Sequence, residues 1–144
     1  MPITYHPKPG QLMLCDFSKG FKEPEMVKSS RPVIILSGHI TGRGDLVTVV
    51  ACSTVPPDIA RNYHYKLPVQ SMPKTKHFMG RETWVKGDMV YTVAFHRLDA
   101  VVVGRDGSGK RLYFNDRLGQ QQMSEIYRCV LNGMGMGFLC QHVK

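Results

Sequence analysis

Arg31, Ser53, Thr54, Lys86 and Asp88 are the side chains whose types and placement along the chain suit phosphate chemistry. Arg31 closes a polar loop and directly precedes the apolar run Pro32–Ser37. A rigid sheet end there would hold its planar fork, a shape suited to gripping a phosphate or its developing charge. The same position equally suits a surface ion pair with Glu23 or Glu25. Ser53 and Thr54 leave the run Leu46–Cys52 just ahead of Pro56 and Pro57, where hydroxyls bind phosphate oxygens or cap a turn. Lys86 and Asp88 stand two apart in WVKGDMVY, a spacing that puts both on one face of a strand, either for proton transfer or as a structural ion pair. His64, His77 and His96 carry imidazoles that titrate near neutrality, and Tyr63, Phe78 and Trp84 carry rings able to stack on bases or to fill a core. Spacing alone selects none of these six.

Other hydrolytic chemistries are disfavoured. The chain has no G-x-S-x-G, no H-E-x-x-H, no aspartate cluster and no dinucleotide fingerprint after a strand. Its Gly107-Ser108-Gly109-Lys110 stretch is no P-loop, because Arg111 follows where Ser or Thr is needed.

Short runs rich in β-branched and aromatic residues must position the candidates. Gln11–Phe17, Pro32–Ser37, Leu46–Cys52, Tyr63–Val69, Met89–Phe95 and Ala100–Gly104 read as strands of an antiparallel barrel or sandwich. Val102–Tyr113 reads as a hairpin or a sharp connection around its Gly-Ser-Gly tip. Met123, Ile126, Tyr127, Val130, Leu131 and Met134 recur at helical spacing, which predicts one amphipathic helix over residues 119–132 with Gly133 as its C-terminal cap and an irregular Gly-Met tail over Gly133–Gly137. Two longer loops, Ser18–Arg31 and Pro56–Asn62 running on toward Gln70–Arg81, are the expected carriers of binding residues.

With 144 residues the chain suits one domain, 1–144. Nineteen Lys and Arg against eleven Asp and Glu leave a net charge of +8, which favours a phosphate-rich or an acidic protein partner. No run is long and apolar enough for a membrane span, and the start lacks the apolar core of an export signal, so the expected compartment is the cytoplasm, without membrane association. Cys15, Cys52, Cys129 and Cys140 are irregularly spaced, as expected of reduced and mostly buried thiols.

Taken in order, four blocks resemble the MazF/PemK toxin family. Pro9-Gly10-Gln11-Leu12 leading to Asp16-Phe17 resembles its first strand, and Ser30-Arg31-Pro32-Val33-Ile34-Ile35-Leu36-Ser37 resembles its RRPVLVLS block. Val50-Ala51-Cys52-Ser53-Thr54 and Val85-Lys86-Gly87-Asp88-Met89-Val90 resemble two later strand ends, with Ser53 in place of the commoner Thr and Gly87 in place of a frequent Cys. The resemblance implies a mainly β fold, an SH3-like barrel of the MazF/PemK/CcdB type with a C-terminal helix. It also implies a homodimer, a cognate acidic antitoxin, and sequence-selective cleavage of single-stranded RNA with no metal or other cofactor. Arg31 falls at the family's catalytic arginine, Ser53 at its hydroxyl position beside Thr54, and Lys86 and Asp88 at the basic and acidic pair of the PemK branch. On this reading Arg31 and Lys86 stabilise charge or supply a proton and Asp88 is a base candidate, while Lys22, Lys28, Tyr63, His64 and Trp84 are the expected RNA contacts. A barrel that binds nucleic acid without cutting it, and a protein-binding toxin of the gyrase-poison kind, are the alternatives.

Overall fold

Alternation along the apolar runs decides the layering. In a computed structural model that describes residues 2–144, the strands are β1 (Leu12–Cys15), β2 (Arg31–Ile35), β3 (Leu46–Ser53), β4 (His64–Lys66), β5 (Trp84–Ala94) and β6 (Leu98–Ala100). They form an antiparallel sheet in the order β4-β5-β3-β2-β1-β6. Successive side chains point to opposite faces of a strand, and here both parities are apolar, so both faces bury. Met13, Cys15, Val33, Ile35, Val47, Val49, Ala51 and Val93 form one core with Phe17 and Met26. Leu12, Ile34, Val50, Cys52 and Val85 form the other, covered by Leu67, Met72 and Phe78 and by Met123 and Ile126 of the helix α1 (Gln120–Gly133). The result is the expected mostly antiparallel architecture with one C-terminal helix. Among the described residues, its ladder ends at β4 and β6 and does not close by hydrogen bonding between them.

Two local features differ from expectation. The predicted strand Ala100–Gly104 is two strands, because Val101 turns inward at 4% exposure and separates β6 from an exposed hairpin, β7 (Val102–Arg105) with β8 (Arg111–Tyr113). Asp106 ties the hairpin tip by accepting hydrogen bonds from the Ser108 hydroxyl and from the Ser108 and Lys110 N–H groups. The helix ends at a C-cap on Met134, and the glycine that closes it is Gly135, with a left-handed φ of 75° and the Met136 N–H donating to the Leu131 carbonyl at 2.8 Å. Gly133 is instead the last helical residue. Residues 134–136 are irregular as expected, and a short 3-10 turn over Gly137–His142 follows them.

The Ser18–Arg31 loop is pinned to the first core. Phe21 packs edge-on to Phe17 and Tyr91 with centroids 5.2 and 5.5 Å apart, and the Met26 N–H donates to the Tyr91 hydroxyl at 3.1 Å. The four cysteines are free thiols, three of them buried, and burial pushes Cys15 and Cys52 up to about 12, far from the reactive thiolate form. Among the described residues no helix is long and apolar enough to cross a membrane.

Candidate active site

Adjacent strands deliver Arg31, Ser53 and Lys86 to one cleft. Arg31 shares the strand face of Val33 and Ile35, and Ser53 that of Val49 and Ala51, so both emerge where the first core ends. Lys86 reaches the same place because the alternation of β5 is reset. Val50 pairs with Val90 and Cys52 with Val85, so one β3 residue, Ala51, faces four on β5, Lys86 to Met89. This wide bulge turns Lys86 toward Arg31 and leaves Asp88 exposed.

Two glycines make the bulge possible. A Cβ on Gly87 would run into the Cys129 backbone carbonyl of α1 and stand 2.8 Å from the Tyr63 carbonyl, to which the Gly87 N–H donates at 2.7 Å. A Cβ on Gly133 would lie 2.5 Å from the backbone of Gly87 and Asp88. The helix therefore presses backbone against backbone on the segment that carries Lys86.

The cleft encloses about 360 Å³ and is lined by Lys28, Arg31, Ser53, Thr54, His77 and Lys86, together with smaller or apolar neighbours. Lys28, Arg31 and Lys86 also line an adjoining hollow of about 530 Å³, together with Glu23 and Glu25. Among the described residues Arg31 makes no ion pair with either acid. Its guanidinium is half-buried, donates to the Cys52 carbonyl at 3.4 Å, and keeps a buried Nε without a hydrogen-bond partner. Loss of solvent lowers the pKa of Arg31, with Cys52 opposing. A desolvated, unneutralised cation is costly in a folded chain, and an incoming anion removes that cost. Ser53 is 5% exposed, and its hydroxyl oxygen accepts the Val55 N–H at 3.1 Å, so it caps a turn at the cleft as well as lining it.

The remaining candidates distribute around this centre. Lys28 is exposed and lines both hollows, whereas Lys22 lines neither, and its N–H donates to Glu25 at 3.2 Å. Tyr63 and His64 pack ring on ring at 4.5 Å beside the bulge, with His64 in register with Lys86. His64 is lowered by partial desolvation, against the pull of Asp88, and its Nδ1 accepts the Arg61 N–H at 3.0 Å. Trp84 is half-buried and stands across the ladder from Ser53. Asp88, the sequence's base candidate, lines neither hollow. The cleft also holds His77, which spacing did not distinguish from the other histidines. It arrives on the Gln70–Arg81 stretch, and the usable signal was the apolar Phe78 beside it, which is 3% exposed and anchors that stretch to the second core. Among the described residues no group of three or more His, Cys, Asp or Glu side chains is placed to hold a metal ion.

This sheet, helix and cationic cleft define a small, mainly β fold with one basic cleft at the ends of adjacent strands. Residues 8–131 match the PemK-like, MazF-like toxins of type II toxin-antitoxin systems, and the chain belongs to that family. No curated protein matches the sequence. Among solved structures, MazF from Deinococcus radiodurans superposes with a TM-score of 0.62 at 15% identity, covering 92% of this chain and 99% of that one. A mycobacterial endoribonuclease in complex with its cognate antitoxin gives 0.56 at 19% identity over 90% and 96% of the two chains. The Mycobacterium tuberculosis toxin MazF-mt6 gives 0.52 at 14% identity over 88% and 98%.

Proposed function

We propose that this toxin is an endoribonuclease that cuts single-stranded RNA by attack of a ribose 2′-OH on the adjacent phosphate, without a metal, and thereby inhibits growth. The observation that carries the proposal is the half-buried Arg31 with its unpartnered Nε, facing Lys86 and Lys28 across a cleft whose lining holds no carboxylate. Such a site attracts a phosphate and repels a metal cation. Arg31 and Lys86 stabilise the pentacoordinate phosphorane, and Ser53 and Thr54 orient the phosphate oxygens. Lys28 draws in the backbone, and Tyr63, His64 and Trp84 supply stacking surfaces for flanking bases. The +8 charge suits both the RNA and an acidic antitoxin that covers the cleft, and the antitoxin-bound structural neighbour supports that partnership. The same reading makes the toxin a cytoplasmic, one-domain homodimer.

The mechanism requires the nucleophile to come from the substrate. An oligonucleotide with a single 2′-deoxy residue at the cut position is expected to bind like the all-ribose strand and to resist cleavage there. Gel-resolved cleavage of the two oligonucleotides, with a binding assay alongside, checks this. A cut at the deoxy position would rule out internal attack.

A further inference from the structure

We propose that His77 is the general base of the cleavage reaction, taking the proton from the attacking 2′-OH. The inference rests on the ribonuclease reading and adds to it the one function that the cleft's other side chains cannot perform. Around the phosphate position stand the cations Arg31, Lys86 and Lys28 and the hydroxyls of Ser53 and Thr54. None of these accepts a proton readily near neutral pH, and an imidazole does. The alternatives stand elsewhere: Asp88 and His64 line neither hollow, the Nδ1 of His64 is occupied by the Arg61 N–H, and Glu23 and Glu25 line only the adjoining hollow, not the cleft that holds Ser53, Thr54 and His77.

The groups facing His77 keep it in the neutral, proton-accepting form. Arg81 lies on its own segment, Arg31 opens β2, Lys86 sits in the β5 bulge and Lys28 on the first loop, so every charge around it is positive. Partial desolvation, Arg81 and Arg31, in that order, hold its pKa below the ordinary 6.5. The ring lies on the exposed rim of the cleft, 4.8 Å from the Phe78 ring, and among the described residues no hydrogen bond engages either of its nitrogens. A lone pair is therefore available to substrate entering from solvent.

The step balances. The 2′-O–P bond forms as the P–O5′ bond breaks, the 2′-OH proton passes to His77, and the Lys86 ammonium protonates the departing 5′-oxygen. The products are a 2′,3′-cyclic phosphate and a 5′-hydroxyl, and solvent exchange returns the imidazolium and the amine to their starting forms.

The test is single-turnover cleavage of saturating RNA from pH 5 to 8 by the wild type, Arg31→Ala, His77→Gln and His77→Ala, the last with and without added imidazole. The wild-type rate is expected to fall on the acidic side, where His77 becomes protonated. His77→Gln is expected to lose about a hundredfold or more at pH 7 and to lose the acidic limb, with binding of an all-deoxy strand unchanged. Imidazole is expected to restore part of the His77→Ala rate, which no purely structural role would allow. If wild type cleaves, Arg31→Ala does not, and His77→Gln keeps both the rate and the acidic limb, the assignment of His77 is overturned and the ribonuclease reading stands. If the folded wild type cleaves no RNA, both fall together.

Discussion

Replacing Arg31 by alanine is expected to lower RNA cleavage by about 10²- to 10³-fold, the usual loss when one preorganised stabiliser of transition-state charge is removed. The site leaves little to take over its role, since Lys86 and Lys28 are flexible point charges and Arg31 alone presents a planar fork. Arg31→Lys is therefore expected to recover only part of the rate. Arg31→Ala should leave folding intact or improve it. A half-buried guanidinium with an unpartnered Nε is a cost to the free protein, and removing it removes that cost. Thermal unfolding together with single-turnover cleavage separates the two effects. Full activity in a folded Arg31→Ala protein would remove Arg31 from the mechanism.

The second large effect concerns stability. Gly133→Ala would be neutral or favourable in an isolated helix, because alanine is the better helix former. Here the new methyl lands 2.5 Å from the backbone of Gly87 and Asp88, where no side chain can swing aside. Overpacking against backbone costs about 1–3 kcal/mol, and the rigid contact on both sides places both Gly133→Ala and Gly87→Ala at or above the top of that range. A melting temperature lower by roughly 6–12 °C follows for a chain of this size. Activity should drop as well, since the displaced bulge carries Lys86. Because the two glycines face each other, their effects should be markedly non-additive. Gly135→Ala is the control: it strains a left-handed φ of 75° but meets nothing within 4 Å, so it should lose about 1 kcal/mol from the backbone alone and keep activity. Equal melting temperatures for Gly133→Ala and wild type would refute the backbone contact.

The contrast between Gly133 and Gly135 also shows what sequence reading can reach. Periodicity located α1 to within a residue at each end, because Met123 and Ile126 must face the second core. It placed the closing glycine two residues early, since a glycine needed for close approach and one needed for positive φ look alike in a string of letters. Five of the six predicted strands were found near their expected places, because apolar β-branched runs with turn residues between them have few other uses. The sixth divided at Val101, whose inward turn depends on a tertiary contact.

At the cleft, Arg31 and Ser53 were legible because they sit at the ends of such runs and share a parity. Lys86 and Asp88 were paired by period-two spacing, and that pairing assumed a regular strand. The bulge opposite Ala51 separates them, and its cause is the helix backbone lying against Gly87, some forty residues away in sequence. His77 was visible only as one of three equivalent histidines, for a related reason. What brings it to Arg31 is the docking of Phe78 into a core formed by distant strands. Lys22, chosen for its charge and its place in the first loop, is exposed and lines neither hollow.

Incubation of the folded wild-type protein with a long single-stranded RNA in the presence of EDTA, followed by identification of the new ends, tests the central claim most directly. Discrete fragments ending in 2′,3′-cyclic phosphate and beginning with 5′-hydroxyl are expected, formed at the same rate with and without the chelator. Intact RNA, or cleavage that EDTA abolishes, would contradict it.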